Sequence, residues 1–150
     1  MKKRLDEILI DKGLITETEV RDALLHQKAH GGRFGSMLHY YRHIDEEKLV
    51  DALSAQLGCE GVVISKIDIP ESVARMIPAK VALARQVMPF AYDAGRNELK
   101  VACLDPTDHV LMKELGFVAR GKEIKAYIAA EIALDTVIAR FYLGQNRSLD

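Results

Sequence analysis

The chain has 150 residues, of which 49% are apolar, enough to form the core of one ordinary domain or of two small subdomains. Its 21 basic and 22 acidic residues nearly cancel, which argues against long-range attraction to nucleic acid or to an anionic membrane. Cys59 and Cys103 lack the paired spacing of a disulfide framework or a zinc site, so a reducing cytoplasm is the expected compartment. The sequence shows neither a signal peptide nor an apolar run of membrane-spanning length.

The first third of the chain contains an imperfect tandem repeat. Aligning residues 4–27 with residues 33–56, an offset of 29 positions, gives eight identities in 24 pairs. The identical pairs are Arg4/Arg33, Leu9/Leu38, Ile15/Ile44, Glu17/Glu46, Asp22/Asp51, Ala23/Ala52, Leu24/Leu53 and Gln27/Gln56. Internal repetition of this kind predicts repeated structure.

Each copy is predicted to form a short helix, a turn and a longer helix, because apolar residues recur at helical spacing on both sides of a break. In the first copy, Gly13 suits a left-handed helix end, and Thr16 with Glu19 predicts a capping box for the second helix. Asp45 is the expected N-cap in the second copy. The glycines in residues 28–32 indicate a loop between the copies.

From residue 58 the pattern changes to short β-rich runs mixed with helices. Strands are predicted at about residues 87–92, 98–104 and 123–128, the first two joined as an antiparallel hairpin. Helices are predicted between Asp108 and Gly121 and at about residues 130–142, where Ile132, Val137, Ile138 and Phe141 are expected to face a core. Pro70 and Pro78 suit the first positions of two more short helices.

The predicted fold class is therefore α+β, with two subdomains. Residues 1–57 form a helical subdomain of two repeated helix-turn-helix units. Residues 58–146 form an α/β subdomain, in which helices flank a small, mostly antiparallel three-stranded sheet, and residues 147–150 are a tail.

The repeat resembles the MshEN domain, the N-terminal domain of type II secretion and type IV pilus assembly ATPases. That family's repeat runs Arg-Leu-Gly, a spaced Leu, a Gly, an Ile or Leu, and then Leu-x-x-Ala-Leu-x-x-Gln, in two copies with a five-residue spacer. This chain has Arg4-Leu5 and Arg33-Phe34 at the two starts, and both copies end on Ala-Leu-x-x-Gln. The later sequence is similar to the family in Ile77-Pro78, Val87-Met88-Pro89, Asn97 to Val101, Cys103 to Asp108 and Arg140 to Tyr142.

The resemblance implies a non-catalytic regulatory domain that binds cyclic di-GMP, each copy contacting one half of the ligand. The contacts transferred by position are Arg4, Leu5, Val20, Leu24, Gln27, Arg33, Phe34, Leu49, Leu53 and Gln56. No other cofactor is expected, and the residues give no reason to assign a metal. The implied protein partners are the motor domain of a secretion ATPase and the cytoplasmic part of an inner-membrane secretion platform protein. The implied location is the cytoplasm, with contact to the inner membrane only through a partner.

The residue types in the repeat suit this ligand, which has two guanines and two phosphates. An arginine can grip a guanine edge or a phosphate with its planar fork, and a glutamine supplies one donor and one acceptor. Val20, Leu24 and Gln27 lie at i, i+4 and i+7, which directs them to one side of their helix. Asp6 and Arg42 stand where the family has glycine, so the two halves are expected to contribute unequally.

Three other functions are weighed against ligand binding. The first is a docking module that binds the platform protein without nucleotide. The second is a helix-turn-helix DNA binder, which is disfavoured because residues 1–57 carry nine Lys and Arg against ten Asp and Glu. The third is a metal site at His39 and His43, which lacks a patterned third ligand.

Catalysis is not expected from this sequence. No Gly-x-x-x-x-Gly-Lys-Ser/Thr motif occurs, so the chain is not expected to hydrolyse ATP, and any such activity would belong to a separate domain. Tyr40 and Tyr41 could stack on bases, although packing is the commoner role of such a pair.

Overall fold

The computed structural model describes residues 5–11, 13, 15–31 and 45–143. The chain divides into two compact units, Met1–Gly61 and Val62–Asp150, where the sequence predicts a boundary after residue 57. Within the described residues, no helix is both long enough and apolar enough to cross a bilayer.

Unit 1 contains three described helices: α1 at Leu5–Asp11, α2 at Glu17–His30 and α3 at Glu46–Leu57. Helix α1 packs against α3. The largest side chains at the centre of this unit, Leu9 and Leu49, are almost fully buried. Burying one leucine stabilises a fold by about 1.5–3 kcal/mol, so these residues anchor the helices of unit 1.

Local sequence determines where the helices of unit 1 begin and end. The predicted capping box is confirmed: the Glu19 N–H donates to Thr16 Oγ1 at 3.2 Å, and the Glu19 carboxylate accepts from the Thr16 N–H at 3.0 Å. Asp45 caps α3 as predicted, accepting from the Lys48 N–H at 2.9 Å. Gly13, with φ of 71°, follows α1 in the left-handed region that favours glycine.

Unit 2 begins with an irregular segment in which the sequence suggests a strand at residues 62–64. The Val62 N–H does donate to the Ile128 carbonyl at 2.9 Å, but Ile64–Lys66 is a 3₁₀ turn. Two short helices follow, α4 at Glu71–Ala74 and α5 at Ala79–Arg85, each preceded by a proline at the N-cap position. The two predicted helices are confirmed, with Pro70 and Pro78 one position before the first helical residue.

The sheet of unit 2 has three strands in the order β1, β2, β3. They lie at Met88–Asp93, Glu98–Cys103 and Glu123–Ile128. The pair β1–β2 is antiparallel, as predicted for a hairpin, whereas β2–β3 is parallel. The parallel pairing follows from α6, His109–Val118, which lies between these strands in sequence and provides the crossover that a parallel pair requires.

The core of unit 2 lies where the sheet meets the last helix, α7 at Glu131–Ile138. Alternate residues of β2, Leu99 and Val101, are fully buried, as is Leu134 of α7. The closing residues Ala139–Leu143 continue as a π-helix. Phe141, predicted to face the core, is 36% exposed because this change of helix type alters the direction in which its side chain leaves the backbone.

A tyrosine holds the closing turn in place. The Tyr142 hydroxyl donates to the Ala74 carbonyl at 2.6 Å and lies 3.4 Å from the Ile77 carbonyl. Burial of the phenol raises the pKa of Tyr142 to about 12, because ionisation would place a charge in a poorly hydrated site.

Candidate functional site

Part of the predicted ligand site falls outside the residues that the structure describes. These are Arg4, Arg33 and Phe34, together with the side chain of Leu5, whose backbone begins α1. The described part of the site is carried by α2 and α3, which bear Val20, Leu24 and Gln27 in one copy and Leu49, Leu53 and Gln56 in the other.

The N-caps place the two sets of side chains in register. Thr16 and Asp45 are separated by the repeat offset of 29 residues, so each helix begins at the same point of its copy. The first intrahelical hydrogen bonds are also equivalent: the Val20 N–H to the Thr16 carbonyl and the Leu49 N–H to the Asp45 carbonyl, both 3.0 Å. Because a helix fixes the angle between successive residues, equivalent positions leave α2 and α3 in equivalent directions.

The two helices have similar burial patterns at the motif positions. Val20 and Leu49 are buried, with 7% and 1% of their surfaces exposed. Ala23 and Ala52 are fully buried. Leu24 is 41% exposed, and its equivalent Leu53 is half-buried. Gln27 and Gln56 are both half-buried, so each glutamine keeps part of its surface accessible.

This pattern separates each motif into a core part and an accessible part. Val20 and Leu49 face inward and support the helices, so their predicted ligand contacts would depend on the little surface they retain. The accessible part of each copy is a leucine followed three residues later by a carboxamide, Leu24 with Gln27 and Leu53 with Gln56. An apolar side chain beside a donor and an acceptor suits the face and edge of a nucleobase.

Several other sequence candidates also lie outside the described residues. They are Arg42, His39, His43, Tyr40 and Tyr41, and the side chain of Asp6. Among the residues that are described, no group of three His, Cys, Asp or Glu side chains is arranged to hold a metal ion.

Sequence reasoning missed a basic cavity in unit 2. Its volume is about 310 Å³, and it is lined by residues that follow α4 and by residues at the end of α6. Three of them are cationic, Arg75, Arg120 and Lys122. The only signal in the sequence was the clustering of Arg120, Gly121 and Lys122 just after a predicted helix, and nothing there pointed to Arg75, 45 residues earlier.

The fold has been seen in solved structures. A structure of MshE with cdg matches with a TM-score of 0.64 and 24% identity, covering 94% of this chain and 100% of that chain. The N-terminal domain of XpsE matches with a TM-score of 0.60 and 17% identity, covering 95% of this chain and 99% of that chain. At these identities the likeness establishes a shared α+β domain architecture.

The family follows from a direct match. Residues 57–148 match the MshEN domain, and the chain belongs to this family. The matched region begins at the last residue of α3, so it covers the α/β unit and leaves the doubled motif of residues 4–56 outside it. The resemblance noted in the sequence is therefore confirmed at the level of the family.

Curated relatives place the domain in longer proteins. The type IV pilus assembly ATPase PilB of Myxococcus xanthus is 30% identical over 150 residues, all of this chain and 26% of that protein. PilB of Thermus thermophilus is 27% identical over 140 residues, 93% of this chain and 16% of that protein. Bacteriophage adsorption protein B of Escherichia coli is 32% identical over 111 residues, 74% of this chain and 14% of that protein. This chain thus spans about a quarter or less of the relatives it matches.

Proposed function

We propose that this chain is a non-catalytic regulatory domain that binds cyclic di-GMP through the doubled motif of unit 1. The observation that carries the proposal is the equivalence of α2 and α3. Each helix buries its alanine and its first apolar residue, and each leaves a leucine and a glutamine accessible at the same repeat positions. A duplicated surface of this kind suits a ligand made of two identical halves.

Packing alone accounts poorly for this arrangement. A helix needs repeated Val or Leu and Ala at the buried positions to form a core, but it has no comparable need for a repeated glutamine at a half-buried one. The structure of MshE with cdg supports the same ligand class for a protein of this fold. In a full-length pilus or secretion ATPase, binding would shift the populations of domain arrangements rather than perform chemistry.

The arginines complete the proposed site. Arg4 and Arg33 begin the two copies, and each would supply a planar cation for a guanine edge or a phosphate. Replacing Arg33 with alanine is expected to weaken binding by about 1–3 kcal/mol, roughly fivefold to 150-fold in Kd. Calorimetric titration of the purified chain with cyclic di-GMP measures this effect. Arg96→Ala, in the turn between β1 and β2, is the control and should bind as the wild type does.

Two adjacent leucines give a sharper test on described residues. Leu24 belongs to the motif and Leu25 does not, yet both are exposed on α2, at 41% and 62%. Leu24→Ala should weaken cyclic di-GMP binding several-fold because it removes an apolar side chain that would contact the ligand. Leu25→Ala should leave Kd unchanged. Equal effects of the two substitutions would refute the proposed site.

The rival function is protein docking without nucleotide. It is favoured by two apolar side chains of α6, Val110 and Phe117, which are 78% and 86% exposed and lie seven residues apart on one face of the helix. The absence of heat at high micromolar cyclic di-GMP would favour this alternative. Titration with the cytoplasmic part of a secretion platform protein would then test it, with Phe117→Ser expected to weaken the association.

A further inference from the structure

The cavity of unit 2 is lined by both cationic and apolar side chains. Arg75, Arg120 and Lys122 supply the charge, and Met76 and Val118 supply apolar surface. None of the described residues that line it is acidic. At about 310 Å³, its volume is at the lower end of the range of about 300–1,000 Å³ that is typical of small-molecule sites.

Lys122 is held in a fixed position in this cavity. Its Nζ donates to the Ala119 carbonyl at 3.0 Å and lies 5.7 Å from the centre of the Tyr92 ring. These contacts restrict a side chain that is otherwise long and mobile, so less conformational entropy is lost when a ligand binds. An ammonium group has three donors, so two remain for a ligand.

The side chain of Arg120 is not needed to satisfy the carbonyls at the end of α6. The carbonyls of Leu115, Gly116 and Phe117 already accept from backbone N–H groups of residues 119, 121 and 120. The Ala119 carbonyl is occupied by Lys122. Within the described part of the chain, the Arg120 guanidinium has neither a hydrogen bond nor an ion pair, which leaves its planar fork available to a ligand.

The backbone at Arg120 is unfavourable for an arginine. Its φ is 61°, in the left-handed region where glycine or asparagine is preferred, and the next residue, Gly121, is also left-handed at 82°. A strained residue at a functional site is one way in which a protein retains a side chain that its fold alone would not select. The end of α6 fixes this backbone conformation, and the presence of arginine rather than glycine at the position indicates a role for its side chain.

Arg75 contributes less than the other two cations. Its Nη2 forms an ion pair with Glu71 Oε1 at 2.5 Å, and both side chains are about three-quarters exposed. Glu71 therefore neutralises part of the positive charge at this edge. With Glu71 included, the four groups carry a net charge of about +2, which balances the charge of about −2 on a phosphate monoester near neutral pH.

We propose that this cavity binds the phosphate group of a small organic phosphate monoester. Arg120 would donate two parallel hydrogen bonds to the phosphate oxygens, and Lys122 would act as a fixed positive charge. Met76 and Val118 would contact the organic part of the ligand. This second site lies in unit 2 and does not depend on the proposed binding of cyclic di-GMP in unit 1.

The substitution Arg120→Gly separates a binding role from a structural one. Glycine suits the left-handed backbone, so the variant should melt at a higher temperature than the wild type. Removal of the guanidinium should at the same time weaken phosphate binding by roughly tenfold or more. Arg120→Asn is a second variant, because asparagine also tolerates this backbone and carries no charge.

The experiment titrates the isotopically labelled chain with phenyl phosphate and, separately, with inorganic phosphate. Amide chemical shifts are measured at each step, at constant ionic strength. Wild-type protein should show saturable shifts at residues 118–122, with phenyl phosphate binding more tightly because its ring contacts the apolar wall. Arg96→Ala should behave as the wild type. Equal affinity of the wild type and both Arg120 variants, or shifts spread over surface lysines without saturation, would overturn the proposal.

Discussion

The two copies of the repeat agree at the motif positions and differ on the flanking face of each helix. Arg21 is exposed on α2, whereas its equivalent on α3, Val50, is 3% exposed. Leu25 is exposed, whereas its equivalent, Ser54, is half-buried and donates from its hydroxyl to the Cys59 carbonyl. Thus α3 buries a wider stripe than α2. The two helices therefore differ where each meets its own neighbours and resemble each other at the motif positions.

The largest expected effect distinguishes the core part of the motif from its accessible part. Leu49→Ala removes a side chain that is 1% exposed and should lower the free energy of unfolding by about 2–5 kcal/mol. Leu53 is half-buried, so Leu53→Ala should lower the free energy of unfolding clearly less than Leu49→Ala does. Denaturant unfolding of both variants measures the difference. Equal losses would show that the two positions do not have the distinct roles inferred from their burial.

An intermediate effect concerns the caps that place the copies in register. Thr16→Ala and Asp45→Ala each remove an acceptor for a backbone N–H and should destabilise the protein by about 1 kcal/mol. Thr16→Ser retains the hydroxyl and should restore most of the stability, while Asp45→Asn should do the same in the second copy. Thermal unfolding provides the measurement, and unchanged melting temperatures in both alanine variants would contradict the role of the caps.

The smallest expected effect tests the divergent face. Leu25→Ser introduces the residue that the second copy carries at the equivalent position and should change stability by less than about 0.5 kcal/mol, because the leucine is 62% exposed. Ser54→Leu is the reciprocal change, which loses the hydrogen bond to Cys59 and must place a larger side chain in a half-buried space. It should be the more destabilising of the pair when the two variants are compared by denaturant unfolding.

Features with a local cause were predictable from the sequence. The capping box at Thr16, the N-cap at Asp45 and the left-handed Gly13 depend on residues within a few positions of one another. The three strands were also predicted to within about one residue of their observed ends, because alternating apolar residues bounded by turn residues identify short strands.

Features that depend on tertiary packing were less predictable. The sequence predicted the helix between β2 and β3 but not the parallel pairing of these strands, although a crossover of this kind joins parallel neighbours. The exposure of Phe141 depends on the π-helix at Ala139–Leu143, and no pattern of residues in the sequence predicted this helix. The basic cavity brings Arg75 together with Arg120, and only the folded chain shows that these distant residues share one space.

In the described part of the candidate ligand site, too, local geometry was predictable from the sequence and burial was not. The spacing of Val20, Leu24 and Gln27 predicts that they lie on one side of a helix, and all three lie within α2. The burial of Val20 and Leu49 was not evident from the sequence, since an apolar residue at a motif position can either pack in the core beneath a site or contact the ligand directly. The repeat itself provides no means of distinguishing these roles.

The Tyr142 hydroxyl, which joins the closing turn to the carbonyls of Ala74 and Ile77, makes unit 2 sensitive to alkaline conditions. An unfolded tyrosine ionises near pH 10, whereas burial keeps Tyr142 protonated in the folded chain up to a pKa of about 12. The folded state then holds a proton that the unfolded state has released, so proton linkage lowers the free energy of unfolding as the pH rises from 10 to 12. Tyr142→Phe should abolish that part of the pH dependence, although it loses the hydrogen bond and is less stable near neutrality.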